Sequence, residues 1–459
     1  MDLSSHRRVR KRLSPGAAIS DQTPAAPAHA SPAPAPATAP PAAPGTGETP
    51  AAVEDLLPGL GALYEDLHRN PELSFAEHRT AALLAGRLRS LGYAVTEGVG
   101  RTGVVGILRN GAGPTVLLRA DIDALPVAEA TGLRYASTIT QVGVDGVESP
   151  VMHACGHDMH ATWLIGAAAI LAGQRADWSG TLQLVFQPAE ELGAGAAAMI
   201  DDGFFDRFGT PDITLGQHVT PWPAGELLYR AGSVMTAADS IRIVLHGTGS
   251  HGSTPEQSVD PVVLAASVVL HLQTIVSREI AAADFGVLTI GTLHAGTKQN
   301  IIPDSAELGI SMRTYEPLVR ERMLAAITRI VTGECEAAGS PRPPEIEVTF
   351  SVQALVNEPA VTAEFAALFT ERFGAGRVGV GPQAAPSEDF GLWGTRAGCP
   401  SFFWFTGGGD PAAFRAAIAA GRMQDVHFNH SPFYAPVQDP TIQTGVEAIV
   451  AAARHALAR

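Results

Sequence analysis

Met152-His153-Ala154-Cys155-Gly156-His157-Asp158-Met159-His160 gathers three imidazoles, a thiol and a carboxylate into nine residues. Neutral imidazole nitrogen and thiolate sulfur are borderline-to-soft donors, so this density points to a transition-metal site. Read as an extended segment, with alternate side chains on one face, the stretch aims Cys155 and His157 at one centre and leaves His153 behind them. A His-rich surface loop is the competing reading. The choice between them depends on whether the rest of the chain supplies further ligands and a base.

Outward from this stretch the pattern alternates strand and helix. Helical periodicity covers about 53–67 and 76–91, where Gly92 ends it; Pro71 breaks the turn between them. Apolar strands follow at 103–108 and 115–119. Asp158 is the expected N-cap of a helix over about 160–172, which leads to a strand at 181–186. A helix near 195–202 and a strand at 212–216 continue the rhythm of a mostly parallel sheet. From about 238 the order becomes strand 240–246, helix 261–280, strands 286–295 and 306–314, helix 317–338, strand 345–352. That is the split βαβ order of a ferredoxin-like domain. A helix at 362–373, a strand at 401–405 and a helix at 441–458 complete the chain. The expected fold is therefore α/β: a mixed, mostly parallel sheet flanked by helices over 53–236 and 354–459, with a βαββαβ domain inserted over 237–353.

At 459 residues the chain exceeds one ordinary core. Hydrophobic content of 46% with 17% charged residues is that of a globular protein. A net charge of −15 excludes a phosphate-tracking surface, so nucleic acid is not an expected partner. No apolar run reaches the roughly 20 residues of a membrane helix. The three cysteines, Cys155, Cys335 and Cys399, form no disulfide framework, and the expected compartment is the cytoplasm. Residues 1–52 begin with a basic cluster and continue Ala/Pro-rich, a composition expected to be disordered. No apolar signal-peptide core of about 7–15 residues follows the basic cluster.

Chemistry-bearing residues recur where strands end, the place α/β sheets put their ligand crevice. Asp121 and Asp123 follow the strand 115–119, as ligands or as partners that orient a metal-bound imidazole. Glu190 and Glu191 follow 181–186; adjacent glutamates rarely point at one atom, so one can bind metal while its neighbour holds a water. His218 follows 212–216, and His427 and His430 lie on a C-terminal loop. The inserted segment adds His251, Asn300 and Arg313, groups suited to an oxyanion and a substrate carboxylate.

Together RADIDALP (119–126), MHACGHDMH (152–160), FQPAEE (186–191), SHGSTP (250–255), NIIPD (300–304) and SEDF (387–390) closely resemble one family. It is the hippurate hydrolase and indoleacetyl-amino-acid hydrolase branch of the metal-dependent aminoacylase and carboxypeptidase family. The resemblance covers essentially all of 53–459 and implies a zinc-peptidase-like catalytic domain with a lid. It implies two divalent metal ions, manganese first and zinc by donor softness, held by Cys155, His157, Glu191, His218 and His430. It further implies Glu190 as general base, His251 as oxyanion donor, often across a dimer, and Asn300 with Arg313 on the carboxylate of an N-acyl amino acid. A homo-oligomer through the lid is expected. The C-terminal run departs from the family: His430-Ser431-Pro432-Phe433-Tyr434 lacks the usual acids, and His430 is favoured over His427 by its offset to Pro432. Two other functions compete: a Cys155 nucleophile with His157 or His153 as base, and a non-catalytic binding protein on the same fold.

Overall fold

The computed structural model describes residues 53–144 and 146–459; the extension expected over 1–52 lies outside the described residues. An eight-stranded sheet runs in the order Ala94–Val99, Gly103–Asn110, Gly180–Gln187, Thr115–Asp121, Ile213–Pro223, Ser401–Gly409, Leu227–Tyr229, Val378–Val380. Its central pairs are parallel. The first two strands pair antiparallel, as do Leu227–Tyr229 and Ser401–Gly409.

The inner strands are apolar on both faces, as a sheet covered on both sides requires. Val116, Leu118, Leu182, Leu184, Phe186, Phe402 and Trp404 belong to one core with the helices Leu57–Arg69, His78–Ser90, His157–Gly173 and Thr441–Leu457. The intervening Leu117, Val185, Phe403 and Phe405 enter a second core under Gly195–Asp201, Phe204–Phe208 and Gly391–Ala397. Period-two alternation thus feeds two cores from one sheet. His157–Gly173 is buried around its whole circumference from His157 to Leu171, so its polar first turn lies inside the protein.

Two helix starts differ from expectation. A 3₁₀ turn, Glu54–Leu56, precedes Leu57–Arg69, with Pro58 in the first turn, where its missing N–H costs nothing. The helix expected near 160 begins at His157, capped by Gly156 and not by Asp158.

The second sheet is antiparallel and four-stranded, ordered Gly286–Ala295, Ser305–Thr314, Ala237–His246, Glu345–Val352. With Pro261–Thr274 and Pro317–Ala338 on one face it has the expected split βαβ order. Ala306, Leu308, Ile310 and Met312 face the helices while their neighbours face out, the alternation of a sheet covered on one side. Among the described residues, Pro261–Glu279 alone is long and apolar enough to cross a membrane. Its Leu264, Ala265, Val268, Leu272 and Ile275 pack in this sheet's core. A short pair, Ser250–His251 with Ile301–Ile302, stands beside the sheet.

Candidate metal centre and active site

Asp121 ends the strand Thr115–Asp121 and the Glu190–Glu191 pair follows Gly180–Gln187, whereas His218, expected just after a strand ending at 216, lies in the middle of Ile213–Pro223. The stretch Met152–His160 is not extended. Gly156 is left-handed (φ 86°), and a Cβ there would lie 2.4 Å from Val219 Cγ1. The chain therefore turns between Cys155 and His157, and His157 opens a helix. The two donors converge through this turn and not through strand alternation.

The donor atoms meet in one cluster. Cys155 Sγ lies 3.5 Å from His218 Nε2. His157 Nε2 lies 3.5 Å from Asp121 Oδ2, 3.8 Å from Glu191 Oε1 and 3.9 Å from Glu190 Oε2. His430 Nε2 reaches within 3.5 Å of Glu191 Oε2. Ring orientations follow from the other nitrogens. His157 Nδ1 donates to the Asp123 carbonyl at 3.0 Å and faces its Oδ1 at 3.2 Å. His218 Nδ1 donates to the Val219 carbonyl at 2.7 Å. Both imidazoles then present Nε2 lone pairs to the cluster, the usual arrangement of a metal-binding histidine.

The remaining polar residues of the stretch support the cluster. Val219 N–H donates to His160 Nε2 at 2.8 Å and His160 Nδ1 bonds Asp121, so both its nitrogens are engaged. Asp158 holds His68 at 2.7 Å, and His68 reaches Glu129 at 3.1 Å on its other side. Burial pulls the His68 pKa down, but the two carboxylates outweigh it and raise it to about 9. His153 is buried with neither nitrogen bonded, and burial lowers its pKa to about 4, leaving it neutral.

Arg119 was assigned no role in the sequence, yet it organises the floor of the site. Its side chain is 1% exposed. It donates to Gln187 (3.0 Å), Asp121 (2.7 Å), Glu388 (2.8 and 3.3 Å) and Asp389 (2.9 Å). Glu388 and Asp389 lie close to Glu190. Burial, then Glu388, Glu191 and Asp389, hold Glu190 well above the usual carboxylate range. Burial likewise raises Glu191 to about 7 against the pull of His157. The runs QPAEE and SEDF carried the signal; only the fold shows that one guanidinium binds Gln187 of the first and both acids of the second.

The donor set fits divalent metal. His157 Nε2 and Glu191 Oε1 are buried without a hydrogen-bond partner, an arrangement normally costly. Sulfur, imidazole and carboxylate donors of Cys155, His157 and Glu191 lie within 4.8 Å of one another. Burial and neighbouring carboxylates raise both Glu190 and Glu191, and a bound cation would relieve that repulsion. The Cys155 thiol is pushed up by burial and by Glu191, the opposite of the electropositive setting of a nucleophilic cysteine.

Cys155, His157, Glu190, Glu191, His218 and His430 are thus brought together. His430 N–H donates to the Ala154 carbonyl at 2.8 Å, whereas the His427 ring packs on Phe433 at 5.0 Å. Arg313 donates to Ser387 Oγ at 2.8 Å, one residue from Glu388. His251, on the short strand pair, and Asn300, in the turn just before Ile301–Ile302, make no hydrogen bond or ion pair to the cluster among the described residues. Gly252 N–H donates to the Asn300 carbonyl at 2.8 Å, keeping those two side by side.

Residues 117–454 match the model of peptidase family M20/M25/M40. The chain belongs to that family. This M20 protein is 41% identical over 285 residues to the hippurate hydrolase of Campylobacter jejuni, covering 62% of this chain and 71% of the relative. It is 36% identical over 280 residues to an IAA-amino acid hydrolase of Arabidopsis thaliana, covering 61% and 62%. The solved structure of a dinuclear metal-binding M20 peptidase from Bacillus subtilis superposes with a TM-score of 0.71. That match has 26% identity and covers 88% of this chain and 99% of the other. M20 membership makes the chain a hydrolase that acts on amides.

Proposed function

We propose that this M20 enzyme hydrolyses the amide bond of N-acyl or N-aroyl amino acids, releasing a carboxylic acid and an amino acid. The observation that carries the reading is the pair of buried donor atoms without hydrogen-bond partners, His157 Nε2 and Glu191 Oε1, the first of them 3.9 Å from Glu190. Cys155, His157, Glu191, His218 and His430 would hold two divalent ions, manganese by family resemblance and zinc by donor softness. Bound there, the ions supply Lewis-acid polarisation of the amide carbonyl and a water of lowered pKa.

Glu190 carries the proton traffic. Its carboxylate makes no hydrogen bond among the described residues, and its raised pKa suits a group that takes a proton from water and returns it to the leaving amine. Arg313 faces the amino-acid carboxylate with Asn300. His251 Nδ1 accepts from Ser253 N–H at 3.1 Å, so Nε2 carries the proton and is free to donate to an oxyanion. A second copy joined through the four-stranded sheet brings His251 and Asn300 to the cluster. The free thiols of Cys155, Cys335 and Cys399 suit a reducing cytoplasm.

Glu190→Gln tests the assignment. The variant is expected to keep its metal by elemental analysis and to lose about 10²–10⁴-fold in kcat on N-benzoylglycine. Wild-type rates on every cleavable substrate would remove Glu190 from the mechanism.

A further inference from the structure

The cluster is closed except along one edge. The side chains of His157, Glu190 and Glu191 are 0%, 10% and 9% exposed, but that of His430 is 55% exposed. The segment bearing His430 is also where this chain departs from the family it resembles. Large exposed apolar side chains adjoin the open edge in the chain. Leu192, next to Glu191, is 37% exposed, and Phe428 and Phe433, on either side of His430, are 49% and 51% exposed. Single exposed apolar residues are ordinary. These three all lie within three residues of two groups that approach to 3.5 Å, and a patch so placed marks ligand contact.

The loop is held in place rather than hanging free. Ser431 N–H donates to the Phe428 carbonyl at 3.0 Å, and Ala130 N–H to the Pro432 carbonyl at 2.8 Å. Asn429 Nδ2 donates to the Cys155 and Val219 carbonyls at 2.9 and 3.2 Å. The His427 and Phe433 rings pack together at an interplanar angle of 31°. Consecutive Cα atoms are about 3.8 Å apart, so Phe428 stands within about 7.6 Å of the His430 backbone. A Phe433 ring packed this way loses little conformational freedom on meeting a ligand.

The two flanks of the cluster also differ in charge. Glu190, Glu388, Ser387 and Arg313 make one flank, whose guanidinium attracts a carboxylate. Glu191, His430 and the apolar trio make the other, with no cationic side chain among them. A substrate with its carboxylate at Arg313 has its acyl group on the apolar flank.

We propose that Leu192, Phe428 and Phe433 form the acyl subsite and select a bulky aromatic acyl group over acetyl. The proposal rests on the amidohydrolase reading above, and two measurements separate them. The first is the ratio of kcat/KM for N-benzoylglycine to that for N-acetylglycine. In the double variant Phe428→Ala/Phe433→Ala this ratio is expected to fall about tenfold or more, the size of losing apolar contact in a pocket. The Phe→Leu pair should restore most of it. The second is calorimetric binding of N-benzoylglycine in a Glu190→Gln background, which needs no turnover; the alanine pair should weaken it by a similar factor. A ratio and an affinity both within twofold of the parent overturn the subsite. So does a changed oligomeric state with the ratio intact, which makes the patch an interface. If the wild-type enzyme cleaves neither compound, the amidohydrolase reading falls and the calorimetry still judges the subsite.

Discussion

Arg119 and His251 are two polar side chains of the same enzyme kept under opposite conditions. Arg119 lies beneath the strand ends, almost wholly buried, its guanidinium shared by Gln187, Asp121, Glu388 and Asp389. His251 sits exposed on a two-residue strand, its ring engaged by Ser253 alone. The first arrangement fixes donor positions before anything binds. The second leaves a donor free to meet charge that develops only during reaction. Ligand placement needs rigidity and desolvation, whereas an oxyanion donor needs an open proton and a route to the substrate.

Substitution can break this contrast, and Arg119→Met is the most damaging. It leaves buried carboxylates without their counter-charge and should cost about 3–5 kcal/mol of stability, read from urea midpoints. Arg119→Lys should recover only part, because an ammonium cannot reproduce the fork. A smaller effect comes through pH. His68 has a folded pKa of about 9 against an ordinary 6.5, so its contribution is complete below pH 6.5 and is lost as pH rises through 9. At about 1.4 kcal/mol per pKa unit this amounts to about 3 kcal/mol, and His68→Gln should flatten the fall in midpoint between pH 6.5 and 9.5. His251→Ala, by contrast, should lower kcat about 10²-fold while leaving the midpoint within about 0.5 kcal/mol. Equal loss of stability and rate would erase the distinction drawn here. Least of all, Arg329→Ala removes an exposed pair with Glu279 (2.6 Å) and should cost under about 1 kcal/mol.

Much of this architecture was legible in the residues. The βαββαβ order could be read because Ser305–Thr314 alternates with period two and proline opens each of the two helices, Pro261–Thr274 and Pro317–Ala338. Candidate ligands could be read because Cys155 and His157 stand in a dense donor stretch and Glu191 follows an apolar strand. What escaped depends on partners distant in the chain. Ala94–Val99 is a mostly exposed edge strand with Gly98 inside it, and its pairing with Gly103–Asn110 defines it. Leu227–Tyr229 and Val378–Val380 are three residues each and exist through pairing with each other and, for the first, with Ser401–Gly409. Pro411–Ala420 had its signal, with Asp410 capping Ala412 and Ala413 and proline at the start, but its alanines give little periodicity. The turn at Gly156 was hidden by the assumption of an extended segment. Arg119 resembled an ordinary strand arginine until Glu388, 269 residues away, was placed against it.

The bond from Arg313 to Ser387 has a mechanical consequence. Arg313 belongs to the four-stranded sheet, and Ser387 directly precedes Glu388, which Arg119 grips. For the smaller sheet to swing away from the strand ends, this contact has to part. It works as one of several shear pins: with Thr236, whose hydroxyl donates to the Ala385 carbonyl at 2.6 Å, it ties the smaller sheet to the segment that leads into Glu388.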